Sequence, residues 1–270
     1  MLCDDALLVI GLRWDGFSPH LMAYDRLKGV IVQIDISPGA RLDWRVGSEK
    51  RCTGRFGENG YEPCKSGLPP RSGFSACQNC SSFPLQECAF NPRCDGELCD
   101  HPACGGMHDV YLAFYGDMVK VGMTRSERLP TRVVEQGADA YCRVATYGSR
   151  RLARNAELCI ASLTGAAERI PSKYFLSSLA NLPNRNAIAA NHGRCEGLIG
   201  DMLGIDISAP KLLDGYPLRQ PLWQIPALKA TCGAYSGESL GAKGPYLVYR
   251  GYFGLDAVRL SDLAGRTVLV

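Results

Sequence analysis

The sequence predicts an α+β fold in four segments. These are a small β unit at 1–50, a zinc-stapled cysteine-rich insert at 51–108, an α/β core at 109–180 and a β-rich C-terminal region at 181–270. Three observations predict it. Short apolar runs broken by Gly, Pro and Asp turn signals open and close the chain. Cys52, Cys64, Cys77, Cys80, Cys88, Cys94, Cys99 and Cys104 crowd into one loop-rich stretch. The run DVYLAFYGDMVKVGMTRSERLPTRVVEQG at 109–137 reads as strand, turn, strand, loop and helix.

Composition bounds the problem. Of 270 residues, 46% are hydrophobic and 21% charged, the balance of a globular chain. A formal net charge of +3 does not by itself point to nucleic acid, so any basic patch must be local. No stretch is apolar for long enough to cross a bilayer. The start, MLCDDALLVIGLRWDG, lacks a basic n-region and carries Asp4 and Asp5. That argues against a signal peptide and sets a cytoplasmic expectation.

In residues 1–50, LLVIGL, VIVQIDI and LDWRV have the length and composition of strands. Trp14 and Trp44 are read as packing residues. Residues 51–108 are rich in Pro and Gly with little periodicity, so they cannot bury enough apolar surface to fold alone. A crosslink must replace the core. Clustered thiols in a reducing compartment are metal ligands more often than disulfides. Cys77-Gln-Asn-Cys80 is a CxxC knuckle, which puts two thiolates on one tetrahedral ion. Cys52 and Cys64 complete one four-thiolate set, and Cys88, Cys94, Cys99 and Cys104 a second, with His101 or His108 able to replace a cysteine. Two structural Zn²⁺ ions are expected; an iron–sulfur cluster is the competing occupant.

In the core, 110–115 and 118–123 form two strands around the Gly116-Asp117 turn, and 140–147 a third. A helix follows from its N-cap Ser149 to a stop at Gly165. Leu152, Ala156, Cys159, Ile160 and Leu163 recur at helical spacing and are assigned to its buried face. Arg150, Arg154, Glu157 and Ala161 lie on another stripe, where Arg154 and Glu157 read as a surface ion pair. From Lys120 to Arg154 there are eight basic residues: Lys120, Arg125, Arg128, Arg132, Arg143, Arg150, Arg151 and Arg154. Glu127, Glu135 and Asp139 oppose them, a local surplus of five. Arginines interleaved with Tyr111, Tyr115, Tyr141 and Tyr147 fit either nucleic-acid binding or a solvated basic face. Towards the end, a short helix around 195–203 precedes β character. Gly237, Gly241 and Gly244 around Lys243 lack P-loop spacing and a following helix, so they are read as a tight β-turn with close backbone approach.

The 109–137 stretch resembles the core of the GIY-YIG nuclease superfamily. Asp109-Val110-Tyr111 stands at the first signature triplet, Lys120-Val121-Gly122 at the second, Arg132 at the helix arginine and Glu157 at the later glutamate. The resemblance implies a GIY-YIG-like α/β core and metal-assisted phosphodiester hydrolysis. Glu157 would bind Mg²⁺ or Mn²⁺, Tyr111 would orient or deprotonate the attacking water, and Arg132 would stabilise charge on the phosphate. Lys120 replaces the tyrosine usual in that superfamily. A lysine neutralises phosphate, and acts as a base only where burial lowers its pKa. More of the chain is similar to the domain of unknown function 2797 family. The similarity runs through NPRCDGELCDHPACGGMHDVYLA, KVGMTR, TRVVEQGA and GESLGAKGPYLVY. The leading expectation is a zinc-containing protein that binds DNA or RNA and cleaves it, with no membrane partner. The alternatives are a non-catalytic nucleic-acid-binding or adaptor protein, and a small-molecule enzyme reusing the fold.

Overall fold

The structure, a computed structural model, describes residues 6–81, 88, 91–95, 97 and 103–270. The chain divides into two compact units. One comprises Met1–Pro84, Tyr216–Arg219 and Gln224–Val270; the other comprises Leu85–Gly215 and Gln220–Trp223.

The first unit opens with β1 (Leu7–Asp15), β2 (Ser18–Asp25), β3 (Val30–Ile34), β4 (Arg41–Val46), β5 (Arg55–Gly57) and β6 (Gly60–Glu62). The second runs through β7 (Gly105–Tyr115), β8 (Met118–Arg125), α1 (Leu129–Glu135), β9 (Ala140–Ser149), α2 (Arg150–Thr164), α3 (Ser172–Ser178), α4 (Arg185–Leu203) and β10 (Lys211–Leu212). The chain then returns to the first unit with β11 (Ala227–Leu228), β12 (Gly233–Lys243), β13 (Tyr246–Arg250), β14 (Leu255–Arg259) and β15 (Thr267–Leu269). Among the described residues, no helix is long and apolar enough to cross a membrane.

Strands from both ends of the chain share one nine-stranded sheet, ordered β11-β14-β13-β12-β4-β15-β1-β2-β3. The closing strand β15 sits between β1 and β4: Val268 pairs with Leu7 on one side and Val46 on the other. In β4, burial alternates along RLDWRV, with Leu42, Trp44 and Val46 facing inward. Trp14 and Trp44 are both core residues, as their surroundings of short apolar strands imply. The GESLGAKGPYLVY run is a β12–β13 hairpin with Gly244 at φ 53° in its turn. At Gly241, φ is 109° and an added Cβ would lie 1.7 Å from the Pro217 carbonyl oxygen, so only glycine fits.

The second unit is built on a four-stranded antiparallel sheet, β10-β9-β7-β8. Val110, Leu112 and Phe114 alternate along β7. They form a core with Val119 and Val121 of β8, Cys142 and Val144 of β9, Ala153 and Ile160 of α2, and Ile188, Cys195 and Ile199 of α4. Tyr115, offset by one residue, packs against Phe175 of α3, ring centroids 6.1 Å apart. The start of α2 is set by Ser149, whose Oγ accepts from the Leu152 N–H at 3.3 Å. Its end is set by Gly165 at φ 70°.

The buried face of α2 matches the apolar stripe expected from periodicity only in part: Ile160 is buried and Ala156 and Leu163 pack against the core, while Leu152 is 48% exposed and Cys159 is exposed. Arg150, Ala153, Glu157 and Thr164 are buried as well. The Arg154–Glu157 pair is therefore largely internal rather than a surface pair, with side-chain exposures of 20% and 10%. A helix can turn a carboxylate inward where a guanidinium on the next turn neutralises it, and here the ion pair overrides the apolar count.

Candidate functional site

Two groups of side chains are candidates, one in each unit. In the first unit the β5–β6 hairpin ties Cys52 to Cys64, since Arg55 pairs with Glu62 and Phe56 with Tyr61 across it. The knuckle after it turns through Cys80 N–H and Ser81 N–H, both donating to the Cys77 carbonyl at 3.1 and 2.9 Å. The result is that the thiols of Cys52, Cys64, Cys77 and Cys80 all lie within 4.8 Å of one another. The Cys64 and Cys77 sulfurs are 3.8 Å apart. Sulfurs about 2.3 Å from a tetrahedral ion stand at nearly that separation.

The backbone also supports charge on sulfur: Cys77 N–H and Gly54 N–H donate to Cys52 Sγ at 3.1 and 3.4 Å. Burial raises the Cys52 thiol. The Ser66 hydroxyl lowers Cys64. At Cys77, burial pushes upward but is outweighed by bonds from Ser66, Cys52 and the Asn79 and Cys80 N–H groups, bringing it down to about 6. Burial and the neighbouring sulfurs raise Cys80. Four crowded thiols cannot all ionise without a cation among them. The set could bind a metal such as zinc. Among the described residues it is the one group of this kind. Cys88, Cys94 and Cys104 form no such group there, and Cys99 and His101 lie outside the described residues. His108 sits on β7 with Nδ1 3.0 Å from the Gly106 carbonyl.

In the second unit, Tyr111 lies at the centre of the sheet with 0% exposure. It pairs in register with Gly122 on β8. That glycine is what makes room. A Cβ there would come within 2.5 Å of the Tyr111 hydroxyl and 2.8 Å of Lys120 Nζ. Lys120 Nζ lies 5.5 Å from the Tyr111 ring centroid and donates to the Val121 carbonyl at 3.0 Å. The Tyr111 hydroxyl donates to Gln136 Oε1 at 3.1 Å, just past the end of α1.

Arg132 and Glu157 each lie within electrostatic reach of both Tyr111 and Lys120. Burial raises the Tyr111 pKa, against the opposing pull of Arg132 and of Gln136. Burial lowers Lys120 to about 8, with Glu157 opposing and Arg132 reinforcing the shift. Arg132 is half exposed and 3.5 Å from Glu135. Glu157 is 7% exposed.

Several participants are not marked by any motif. Arg154 NH1 contacts Glu157 Oε2 at 2.7 Å and Glu168 Oε2 at 2.8 Å. Glu168 is positioned by an extra edge pairing: Val121 N–H donates to the Ala167 carbonyl at 3.0 Å, and Ala167 N–H to Val119 at 2.9 Å. Asp109, the first residue of the first triplet, is a buried strut. Its Oδ1 accepts from Ser126 Oγ at 2.8 Å and Thr146 Oγ1 at 2.6 Å. Gln136 follows directly in the EQG run, but nothing in that run signals a tyrosine partner.

The basic surplus of the segment is largely matched by acids. Arg125 pairs with Glu127, Arg128 and Arg132 with Glu135, Arg143 with Asp109, and Arg151 with Asp95. Most of these pairs are partly exposed on both sides and individually weak.

Fold and site together define a β-rich α+β protein with a four-cysteine cluster near residues 52–80. Residues 71–255, more than half of the chain, match the family described as protein of unknown function (DUF2797), and the chain belongs to that family. No curated protein and no solved structure matches it.

Proposed function

We propose that the protein is a zinc-containing, nucleic-acid-binding phosphodiesterase of GIY-YIG type, with its chemistry at Tyr111, Lys120, Arg132 and Glu157. The observation that carries this reading is their convergence. Tyr111 and Lys120 meet over Gly122, and Arg132 and Glu157, distant in sequence, are each near enough to bias the ionisation of both.

The donor chemistry near Glu157 suits a hard cation: one carboxylate completed by substrate phosphate oxygens is a usual Mg²⁺ arrangement. When bound there, Mg²⁺ or Mn²⁺ supplies neutralisation of phosphate charge and a more acidic water. The chain's own residues do the rest. Arg132, half exposed at the end of α1, is able to hold a phosphate oxygen. Tyr111 keeps its proton, because burial raises its pKa and its hydroxyl already donates to Gln136. It therefore orients a water rather than deprotonating it. Lys120, lowered to about 8, has a neutral fraction near physiological pH and in this reading accepts the proton. The Cys52, Cys64, Cys77 and Cys80 set, filled by four thiolates with no open position, fits a structural rather than catalytic Zn²⁺.

The test is a screen of purified protein against single- and double-stranded DNA and RNA with Mg²⁺ or Mn²⁺. Cleavage that disappears in Glu157→Ala, with salt-dependent binding retained, is the expected result. Absence of both cleavage and binding at low salt sinks the reading. A second reading, a non-catalytic nucleic-acid-binding or adaptor protein, is favoured by one observation: Glu157 is already neutralised by Arg154. It predicts salt-dependent binding unaffected by Glu157→Ala and no cleavage by either protein.

A further inference from the structure

Arg154 is held in an unusual way. Both of its ion pairs use the same nitrogen: NH1 meets Glu157 Oε2 at 2.7 Å and Glu168 Oε2 at 2.8 Å. Its Nε is buried and has no hydrogen-bond partner. A buried N–H left unpaired carries a desolvation cost that no partner offsets. The guanidinium thus satisfies two carboxylates while one buried donor stays unpaired. Glu168 does not hold its place through α2. It is carried there by the edge pairing of Ala167 with β8, beside Lys120. Arg154 therefore has two anchors on different elements, and releasing one does not strand it.

We propose that Arg154 couples cation binding at Glu157 to arrival of the substrate phosphate. In the free protein the guanidinium neutralises Glu157 and competes with a divalent cation for that carboxylate. A phosphate oxygen that meets the one-fifth-exposed side chain offers an acceptor to Nε once the guanidinium shifts towards Glu168, and that shift leaves Glu157 available. Arg154 is a positioning residue here; it acts through Glu157. The inference rests on the reading of Glu157 as a cation ligand.

The test uses the full chain with its zinc retained and follows Mn²⁺ binding by electron paramagnetic resonance, with and without a non-cleavable phosphorothioate oligonucleotide. Glu157→Gln defines which Mn²⁺ signal belongs to this site. Wild type should bind Mn²⁺ there weakly alone and about 10-fold more tightly with the oligonucleotide, within the usual range of site coupling. Arg154→Gln should bind Mn²⁺ about 10-fold more tightly than wild type without oligonucleotide, and gain less from it than wild type does, since only direct ligation by phosphate oxygens then remains. Glu168→Gln, which leaves Arg154 with Glu157 alone, should shift the other way and weaken Mn²⁺ binding. Loss of folding cannot produce these opposed shifts. If Glu157-dependent Mn²⁺ binding is the same in wild type and Arg154→Gln, the coupling is overturned while the cation site stands. If no protein shows Glu157-dependent Mn²⁺ binding, the coupling and the metal-dependent reading both fall.

Discussion

Lys120 sits mostly out of solvent, over the Tyr111 ring, and folding therefore weakens its hold on a proton. The unfolded chain keeps it protonated up to its ordinary value of 10.5, while the folded chain releases the proton at about 8. Between those values the unfolded state binds more protons, so stability rises with pH across that window and is lower below it. Lys120→Met should raise the urea midpoint near neutral pH and flatten the rise from about pH 8 to about pH 10.5. Denaturation series on both proteins check this. Gly122→Ala should be destabilising by about 1–3 kcal/mol, the usual cost of overpacking, because its Cβ meets the Tyr111 hydroxyl and Lys120 Nζ. The same variant should also reduce any cleavage, since Tyr111 must move. The glycine and the lysine were legible as a triplet; the steric reason for the glycine was not, because it depends on a tyrosine from the neighbouring strand.

At the level of elements, local signals served well where the physics is local. The Gly116-Asp117 turn, the three core strands, the Ser149 cap and the Gly165 stop all depend on residues within a few positions. Ser149→Ala should cost about 1 kcal/mol of stability, the ordinary worth of an N-cap, read from a shift in denaturation midpoint. Gly241→Ala should cost more, at least about 2 kcal/mol, since it combines a left-handed φ with collision against the Pro217 carbonyl. Periodicity succeeded only in part for α2, where Ile160, Ala156 and Leu163 do meet the core. Its apolar residues Leu152 and Cys159 face out, and the polar Glu157 faces in. A hydrophobic count cannot register an ion pair that makes a carboxylate tolerable inside.

For the molecule as a whole, the four cysteines near residues 52–80 are close enough together that a metal such as zinc could take over the work of a core there. Cys77→Ser should lower the zinc content by one ion per chain, measured by elemental analysis of purified protein, and disrupt the β5–β6 hairpin region. The second unit has its own apolar cluster of Val110, Leu112, Phe114, Ile160, Ile188 and Ile199, so its unfolding should remain cooperative in that variant. The four cysteines were legible because a knuckle and two upstream thiols follow a chemical spacing rule. The nine-stranded sheet was not legible as one body. Segments 1–50 and 181–270 each read as β-rich, but nothing in either states that β15 inserts between β1 and β4.

By itself, then, the sequence determined the class of fold, the short elements with their caps and turns, and the cysteine quartet. Each depends on composition or on spacing within a short window, whereas the four polar positions of the proposed site came from a family resemblance. The tertiary structure decided how the chain's two ends pair, which face of α2 is buried, how Gln136 and Arg154 are recruited, and how far the Lys120 pKa falls. Those are set by desolvation and by contacts between residues distant in the chain, and neither leaves a periodic mark in the sequence.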